Sequence, residues 1–174
     1  MNFREAISGV FKVITFQRRT IANIARDLDA TVFALFWIAL GGVFNVMHSQ
    51  LTRGVEASQY LTSPVLLIIV TAIVVAVLHT IARLLGGSGS FLSMMRVFGF
   101  ALPITWILLL PFGSKGLLLV TIWLILVSIH LIAVVHQLSF GRATWTIMIP
   151  LLVTVGGIVG IVNFLGESIL AKFF

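Results

Sequence analysis

The 174-residue sequence contains no cysteine. Disulfide bonds, thiolate metal sites and a cysteine nucleophile are therefore excluded, although this absence is compatible with any cellular compartment. Charged residues are also scarce: they make up 9% of the chain, whereas about a quarter is typical of soluble domains. Five residues are acidic, and none of them lies within the long apolar runs. A carboxylate pair for acid–base catalysis is therefore missing from the apolar part of the chain.

Apolar residues dominate the composition. They form 60% of the chain, and the mean hydropathy is +1.19. A chain this apolar cannot cover itself with polar surface, so lipid has to be its solvent. The formal net charge is +6, but the basic residues are separated by apolar segments and form no continuous basic face. We therefore expect anionic membrane lipids, and not nucleic acid, to be the partner of these charges.

Five apolar segments predict five transmembrane helices. Each has close to the ~20 apolar residues that a hydrocarbon core of about 30 Å requires, and helices satisfy their own backbone polar groups in lipid. The predicted spans are 31–48, 64–85, 94–112, 116–137 and 144–166. The predicted fold class is therefore all-α: a polytopic membrane protein with a five-helix transmembrane domain at 29–174.

Residues 1–28 precede this domain and carry a helical pattern. Apolar side chains recur at spacings of three and four, with basic residues between and around them: Phe3, Ile7, Val10, Phe11 and Ile14. We predict an amphipathic helix on the cytoplasmic membrane surface, followed by a basic juxtamembrane segment. The apolar run is too short and too often broken by charge for a signal peptide, so we expect this segment to be retained.

Lysine and arginine counts in the short connections predict the orientation. Eight of the eleven basic residues fall on the side of the N-terminus, and the other three are Arg53, Lys115 and Lys172. This bias predicts a cytoplasmic N-terminus and an extracytoplasmic C-terminus, in agreement with an odd number of spans. The small size and the lack of a targeting segment lead us to expect the bacterial inner membrane.

A glycine–serine turn at 86–90 separates the second and third spans. The third helix is predicted to begin at Phe91 with Ser90 as its N-cap. Such a turn can bind phosphate through backbone N–H groups, although no Walker lysine follows it; the alternative is a tight hairpin that needs glycine for its backbone conformation. The candidate site for a lipid headgroup or a partner's acidic group comprises Arg83, Gly86, Gly87, Gly89, Arg96, His136 and Arg142.

Arg96 lies about two turns into the third helix. A charge there is costly unless it faces the bundle interior, pairs with a counter-charge or extends to the interface. Its depth of about 9 Å is within reach of a long side chain, so we expect it to extend to the interface. The nearest carboxylates that could pair with it are those of Asp27 and Asp29.

His79 and His130 lie at similar depths, six and seven residues before the same face of the predicted bundle. They are a candidate intramembrane pair that could share a proton or a hydrogen bond across the bundle. The alternative is that they are neutral imidazoles, hydrogen-bonded to the backbone or to each other. Neither a metal nor another cofactor is expected, because no carboxylate or cysteine accompanies the histidines.

Several glycines and prolines predict helix packing and helix bending. Pro103 and Pro150 each lie inside a predicted span and should bend it. Gly99 precedes the first of these prolines, and Gly156 with Gly160 forms a G-x-x-x-G motif that allows close approach of a second helix. We expect that second helix to belong to the same chain and not to a second protomer.

Four groups of residues, in order over residues 27–150, carry a family resemblance. They are Asp27-Leu28 with Phe36-Trp37-Ile38, the glycine turn, Gly99 to Pro103, and His136 to Ala143 leading into Pro150. In this order they resemble the Yip1 family of five-span membrane proteins, and its short prokaryotic members in particular. One departure is Asp29-Ala30-Thr31, where the family has Gly-Pro. Eukaryotic members act in vesicle traffic with small prenylated GTPases; similarity to the short members implies a non-enzymatic protein that assembles, anchors or shapes membrane components.

Two functions remain open at this stage. The first is an accessory or scaffold protein, not an enzyme, that sits beside a larger membrane-protein complex or forms a homo-oligomer. The alternative is a small transporter or channel for protons, ions or lipid, which would use Arg96 and the pair of His79 and His130.

Overall fold

A computed structural model describes the backbone of residues 1–53, 58–109 and 113–173. Seven α-helices follow one another along the chain: α1 Phe3–Ile14, α2 Arg18–Arg26, α3 Ala30–Arg53, α4 Gln59–Leu84, α5 Phe91–Ala101, α6 Gly113–His136 and α7 Phe140–Phe173. A 3-10 helix at Leu102–Leu109 continues α5. The all-α prediction is confirmed over this part of the chain. The described side chains do not include those of residues 48, 51–57, 108–115 and 158–174. Predictions that concern Arg53, Lys115, Gly160 and Lys172 therefore lie outside the described residues.

Three helices within the described ranges are long and apolar enough to cross a membrane. They are Ala30–Met47 within α3, Gln59–Leu84, which is α4, and Gly116–His136 within α6. These coincide with the predicted first, second and fourth spans. At the predicted third span the apolar helix is shorter, Phe91–Ile107, and the predicted fifth span lies in α7, partly outside the described side chains. The count of five spans and the domain limits at 28 and 29 therefore stay predictions.

The N-terminal segment folds into two helices, α1 and α2, joined by a sharp turn. α1 begins with a capping box, in which the Asn2 side chain accepts from the Glu5 N–H and the Glu5 carboxylate accepts from the Asn2 N–H, both at 2.9 Å. It ends at Ile14; two residues later Phe16 has a φ of 62°, and the Gln17 N–H donates to the Lys12 carbonyl at 2.9 Å. This is a Schellman-type ending with phenylalanine where glycine is usual. The location of α1 on a membrane surface stays a prediction.

α5 is the helix that the others surround. Seven of its eleven residues are buried, and it contacts α1, α2, α3, α4 and α6. The closest approach is at Gly99, where an added Cβ would lie 2.7 Å from the carbonyl oxygen of Ala34 in α3. Because Cβ atoms do not tolerate so short a distance, Gly99 is required for this contact.

The two prolines inside predicted spans behave differently. The α-helical part of the third predicted span ends at Ala101, and the chain continues through Pro103 as a 3-10 helix. Proline has no N–H to donate and its ring clashes with the preceding turn, so the tighter helix takes over. Pro150 stays inside α7. An added Cβ at Gly156 would meet nothing within 4 Å among the described residues, and Gly160 lies outside them, so the packing role of this G-x-x-x-G motif stays a prediction.

Candidate functional site at the turn end of the bundle

The glycine turn folds back onto the last residues of α6. Gly86 has a φ of 92°, and its N–H donates to the Arg83 carbonyl at 3.1 Å, while the Gly87 N–H donates to the Ala82 carbonyl at 2.8 Å. The Ser88 N–H donates to the carbonyl of His136 at 3.1 Å. Three of the amide groups that were candidates for phosphate binding therefore already have partners inside the protein. We call the glycine turn at 86–90, the end of α6 at His136 and the start of α7 at Phe140 together the turn end.

Close packing explains why glycine occupies two positions of this turn. An added Cβ at Gly87 would lie 2.6 Å from Nδ1 of His136, and one at Gly89 would lie 2.5 Å from the carbonyl oxygen of Val135. Both distances are too short for any other residue. The tight-hairpin alternative is therefore the one that the geometry supports. The predicted N-cap is confirmed as well, because the Ser90 hydroxyl accepts from the Ser93 N–H at 3.2 Å.

Two arginines lie at the outer side of the turn end. Arg83 donates from Nη1 to the Gly87 carbonyl at 3.3 Å. Nη1 of Arg142, in the first turn of α7, is 3.5 Å from the position that a Cβ on Gly86 would take. Both side chains are exposed, so their guanidinium groups remain available to an anion after the turn has formed.

Among the described residues, no carboxylate forms an ion pair with these arginines. The sequence has no aspartate or glutamate between Glu56 and Glu167. Within the described part of the chain, the ion pairs are those of the N-terminal amine with Asp27 and Asp29, at 3.8 Å and 3.3 Å. The turn end is therefore a positively charged surface that can bind an acidic group through charge-assisted hydrogen bonds.

The predicted pair of His79 and His130 is wrong, because His79 pairs with His136. Nδ1 of His79 lies 3.3 Å from Nε2 of His136, whereas the His130 ring packs edge-on against Phe16 with centroids 5.6 Å apart. The two histidines of α6 are six residues apart, which turns their side chains by about 120° around a helix of 3.6 residues per turn. The two rings also differ in level by about 9 Å along α6, so the depth comparison was wrong: His79 lies level with His136.

Arg96 does not reach the interface and is not part of the turn end. Its side chain is 5% exposed; Nη1 donates to the carbonyl of Ala25 and Nε to the hydroxyl of Thr31, each at 2.8 Å. The Ala25 carbonyl belongs to the last turn of α2, where carbonyls have no partner within the helix and attract a cation. Arg96 therefore closes the end of α2 from inside the bundle. The sequence did not indicate these acceptors, because a backbone carbonyl and a threonine hydroxyl are not recognisable as partners of an arginine until the helices are packed.

Phe16 is a structural residue to which the sequence pattern assigned no role. Its ring packs against Trp123 and His130, with centroids 5.2 Å and 5.6 Å away. Nε1 of Trp123 donates to the Ile14 carbonyl at 3.2 Å. A bulky residue at positive φ is an outlier, and these contacts hold it in place. They attach the α1–α2 turn to the middle of α6.

The spans in α3, α4 and α6, the buried arginine and the cationic turn end together define an all-helical integral membrane protein. The Yip1 domain model matches residues 11–161, which is most of the sequence, and the chain belongs to this family. The family resemblance of the four residue groups is thereby confirmed. Neither a curated protein nor a solved structure matches the chain. A prokaryotic origin stays a prediction.

Proposed function

We propose that this Yip1-domain chain is a non-enzymatic accessory or scaffold protein of the bacterial inner membrane, with its N-terminus in the cytoplasm. It holds a larger membrane protein against α4, or a second copy of itself in a homo-oligomer. The turn end is then at the cytoplasmic face, where Arg83 and Arg142 bind an acidic group of the partner. The orientation is the one that the basic-residue bias predicts.

The observation that carries this proposal is the exposed face of α4. In its span 22% of the residues are buried inside the protein, compared with 39% in the spans of α3 and α6. Exposed apolar residues at helical spacings of three, four and seven run along one side of the helix: Leu66, Ile69, Ile73, Val77 and Leu84. This stripe ends beside Arg83 in the last turn of α4. An apolar face that ends in an unneutralised cation fits a partner helix that carries a carboxylate at the same level.

The test is purification of the tagged full chain from its native membrane in mild detergent, with mass spectrometry of the associated molecules. Ile73→Trp places a bulky group on the α4 face, and Leu118→Trp is the matched control on α6, since the two side chains are 59% and 63% exposed. We expect a stoichiometric protein that Ile73→Trp removes and Leu118→Trp retains. Arg83→Gln should weaken the complex roughly tenfold, the value of one charged hydrogen bond.

Two results contradict the proposal. A chain that purifies alone and tolerates substitution over the whole α4 face has no partner there. A chain that carries anionic lipid at the turn end, and loses it in Arg83→Gln, is concerned with lipid handling.

The transport alternative has less support than the accessory function, although the break of the third predicted span after Ala101 remains. It required His79 and His130 to meet, but His130 contacts Phe16 instead. It also required an Arg96 that is free to handle a substrate, and this guanidinium is engaged by Ala25 and Thr31. A flux assay in liposomes for ions, protons and lipid remains its direct test.

A further inference from the structure

The protein surface beside α1 is apolar on one flank of the helix and polar on the other. The apolar flank lines a groove of about 770 Å³ that it shares with the 3-10 helix and α6, and its α1 residues are Phe3, Ile7, Phe11 and Ile14, with Val10 behind them. Among the described residues, none that lines this groove is charged. The polar flank lines a pocket of about 540 Å³ that it shares with α2, and its α1 residues include Arg4, Glu5, Ser8 and Lys12. α1 therefore separates the two kinds of surface.

We propose that α1 lies in the plane of the bilayer and marks the edge of the hydrocarbon region on its side of the protein, about 12 Å deeper than the edge beside α4. The partner of this surface is a locally thinned bilayer, which contacts the apolar flank of α1 while the charged flank stays in water. This role is independent of the accessory function, which uses the α4 face.

α1 crosses the bundle well below those ends of the spans that lie near the turn end. Phe3 stacks on Trp37, with ring centroids 6.2 Å apart, and Trp37 is seven residues past the start of the α3 span. At the other end of α1, Nε1 of Trp123 donates to the Ile14 carbonyl at 3.2 Å, and Trp123 is 13 residues before the end of the α6 span. At 1.5 Å per residue, α1 lies about 10 Å and 20 Å from these two ends.

The exposed apolar residues of α6 stop near the level of α1. They are Leu117, Leu118, Leu119, Ile122, Trp123 and Leu126. No residue of α6 from 127 to 136 is exposed. The apolar surface of α6 therefore extends for about 15 Å from Gly116 to Leu126, which is half the thickness of a hydrocarbon core.

The apolar surface of α4 extends further towards the turn end. His79 of α4 lies level with His136 of α6, because their rings are 3.3 Å apart. Val77 is two residues before His79 and is 45% exposed, whereas Leu126 is ten residues before His136. The edges of the two apolar surfaces therefore differ by eight residues, or about 12 Å.

Exposed cations exclude hydrocarbon from the polar flank of α1. Arg4 and Lys12 lie on α1, and Arg18 and Arg19 begin α2; all four side chains are exposed. Within the described part of the chain, none of them forms an ion pair with a carboxylate. An unpaired cation inside hydrocarbon is costly, whereas thinning of a bilayer has a modest cost for each ångström of mismatch. We therefore expect the bilayer to thin down to α1 and not to cover it.

Single-cysteine labelling of the full-length chain in phosphatidylcholine bilayers tests where this edge lies. The chain has no cysteine of its own, so Lys12→Cys, Phe11→Cys and Leu66→Cys each carry one thiol. Lys12 lines the polar pocket and Phe11 the apolar groove. Leu66 on α4 is 60% exposed and is 13 residues before His79, which places it level with Trp123. A membrane-impermeant maleimide is present on both sides of the bilayer, and each rate is divided by that of the chain unfolded in dodecyl sulfate.

We expect Lys12→Cys to react more than about ten times faster than the other two variants, because a thiol in hydrocarbon does not ionise to the reactive thiolate. Equal rates for Lys12→Cys and Phe11→Cys would mean that no edge lies at α1. A Leu66→Cys that reacts as fast as Lys12→Cys would mean that the edge has the same level all round the protein. Either result overturns the proposal, and so does protection of Lys12→Cys.

Lipid selection is the second measurement, and it requires α1 to stay against α6. A fluorophore is attached to Leu119→Cys, in the groove beside α1, or to Leu66→Cys on α4. The bilayers contain brominated phosphatidylcholine with either short or long acyl chains. The short lipid should quench the Leu119 label roughly threefold more than the long lipid, because it fits a thinner hydrocarbon region, and the Leu66 label should show no preference. Equal quenching of the Leu119 label by both lipids, or the same preference at Leu66, overturns the proposal.

Discussion

The turn end and the apolar groove beside α1, which Phe11, Leu119 and Trp123 help to line, each lie next to a residue with positive φ that follows a helix. The helices pack closely in the first region and leave a cavity in the second. After α4 ends at Leu84, Gly86 has positive φ, and Gly87 and Gly89 let the turn contact α6 closely. After α1 ends at Ile14, Phe16 has positive φ, and its ring packs against Trp123 while a cavity remains between α1 and α6. Glycines therefore allow backbone contact in the first region, whereas a side chain makes the contact in the second.

The largest expected effect comes from Arg96, which lies between these two regions. Arg96→Gln should lower the free energy of unfolding by about 3 kcal/mol, because charged hydrogen bonds contribute roughly 1.5–3 kcal/mol each and two are lost. Arg96→Lys should be intermediate, since an ammonium keeps the charge without the planar fork. Thermal unfolding in mild detergent, followed by circular dichroism, measures the difference.

The control for Arg96 is the exposed arginine of the turn end. Arg142→Gln should change the free energy of unfolding by no more than about 0.5 kcal/mol, as is usual for surface positions. Equal destabilisation by both glutamine variants would mean that the interior hydrogen bonds of Arg96 contribute nothing of their own.

The second effect tests how closely the turn end is packed. Gly89→Ala should destabilise the protein by about 2 kcal/mol, because overpacking costs typically 1–3 kcal/mol and the new Cβ would meet the backbone oxygen of Val135. Gly141→Ala is the matched control in the first turn of α7, where an added Cβ meets nothing within 4 Å. The control should stabilise by about 0.5 kcal/mol, since alanine restricts the unfolded chain. If both variants unfold at the same temperature, the turn end is not packed as described.

The smallest effect compares the two non-glycine residues that have positive φ. Gln137 follows α6 with a φ of 55° and is exposed. Gln137→Gly should raise the free energy of unfolding by about 1 kcal/mol, because side chains in the left-handed region cost roughly 1–2 kcal/mol. Phe16→Gly should instead be destabilising, since the loss of contact with Trp123 and His130 outweighs the relief. The same thermal unfolding measurement decides, and a stabilising Phe16→Gly contradicts the role of that ring.

Local features of the fold could be predicted closely, and relations between helices could not. Ser90 as the N-cap of α5 and Gly99 as a contact point both follow from the identity of one residue and its neighbours. The partners of His79 and Arg96 were predicted wrongly. The histidine prediction counted residues from the predicted helix ends, and this count gave neither the level at which α4 packs against α6 nor the rotation of α6 about its axis. Arg96 was predicted to extend to the interface or to pair with a carboxylate, whereas the structure supplies the Thr31 hydroxyl and a backbone carbonyl that any residue could have provided.

The apolar composition and the helical segments were determined by the sequence, because burial in lipid and backbone satisfaction depend on the side chains of each segment alone. Membership of the Yip1 family belongs with them, since it rests on residues in a linear order. The tertiary structure alone decided that His136 pairs with His79, that Arg96 closes α2, and that α1 leaves a groove open against α6. Each of these contacts depends on which faces of separate helices meet. Packing between segments that are distant in the sequence determines those faces.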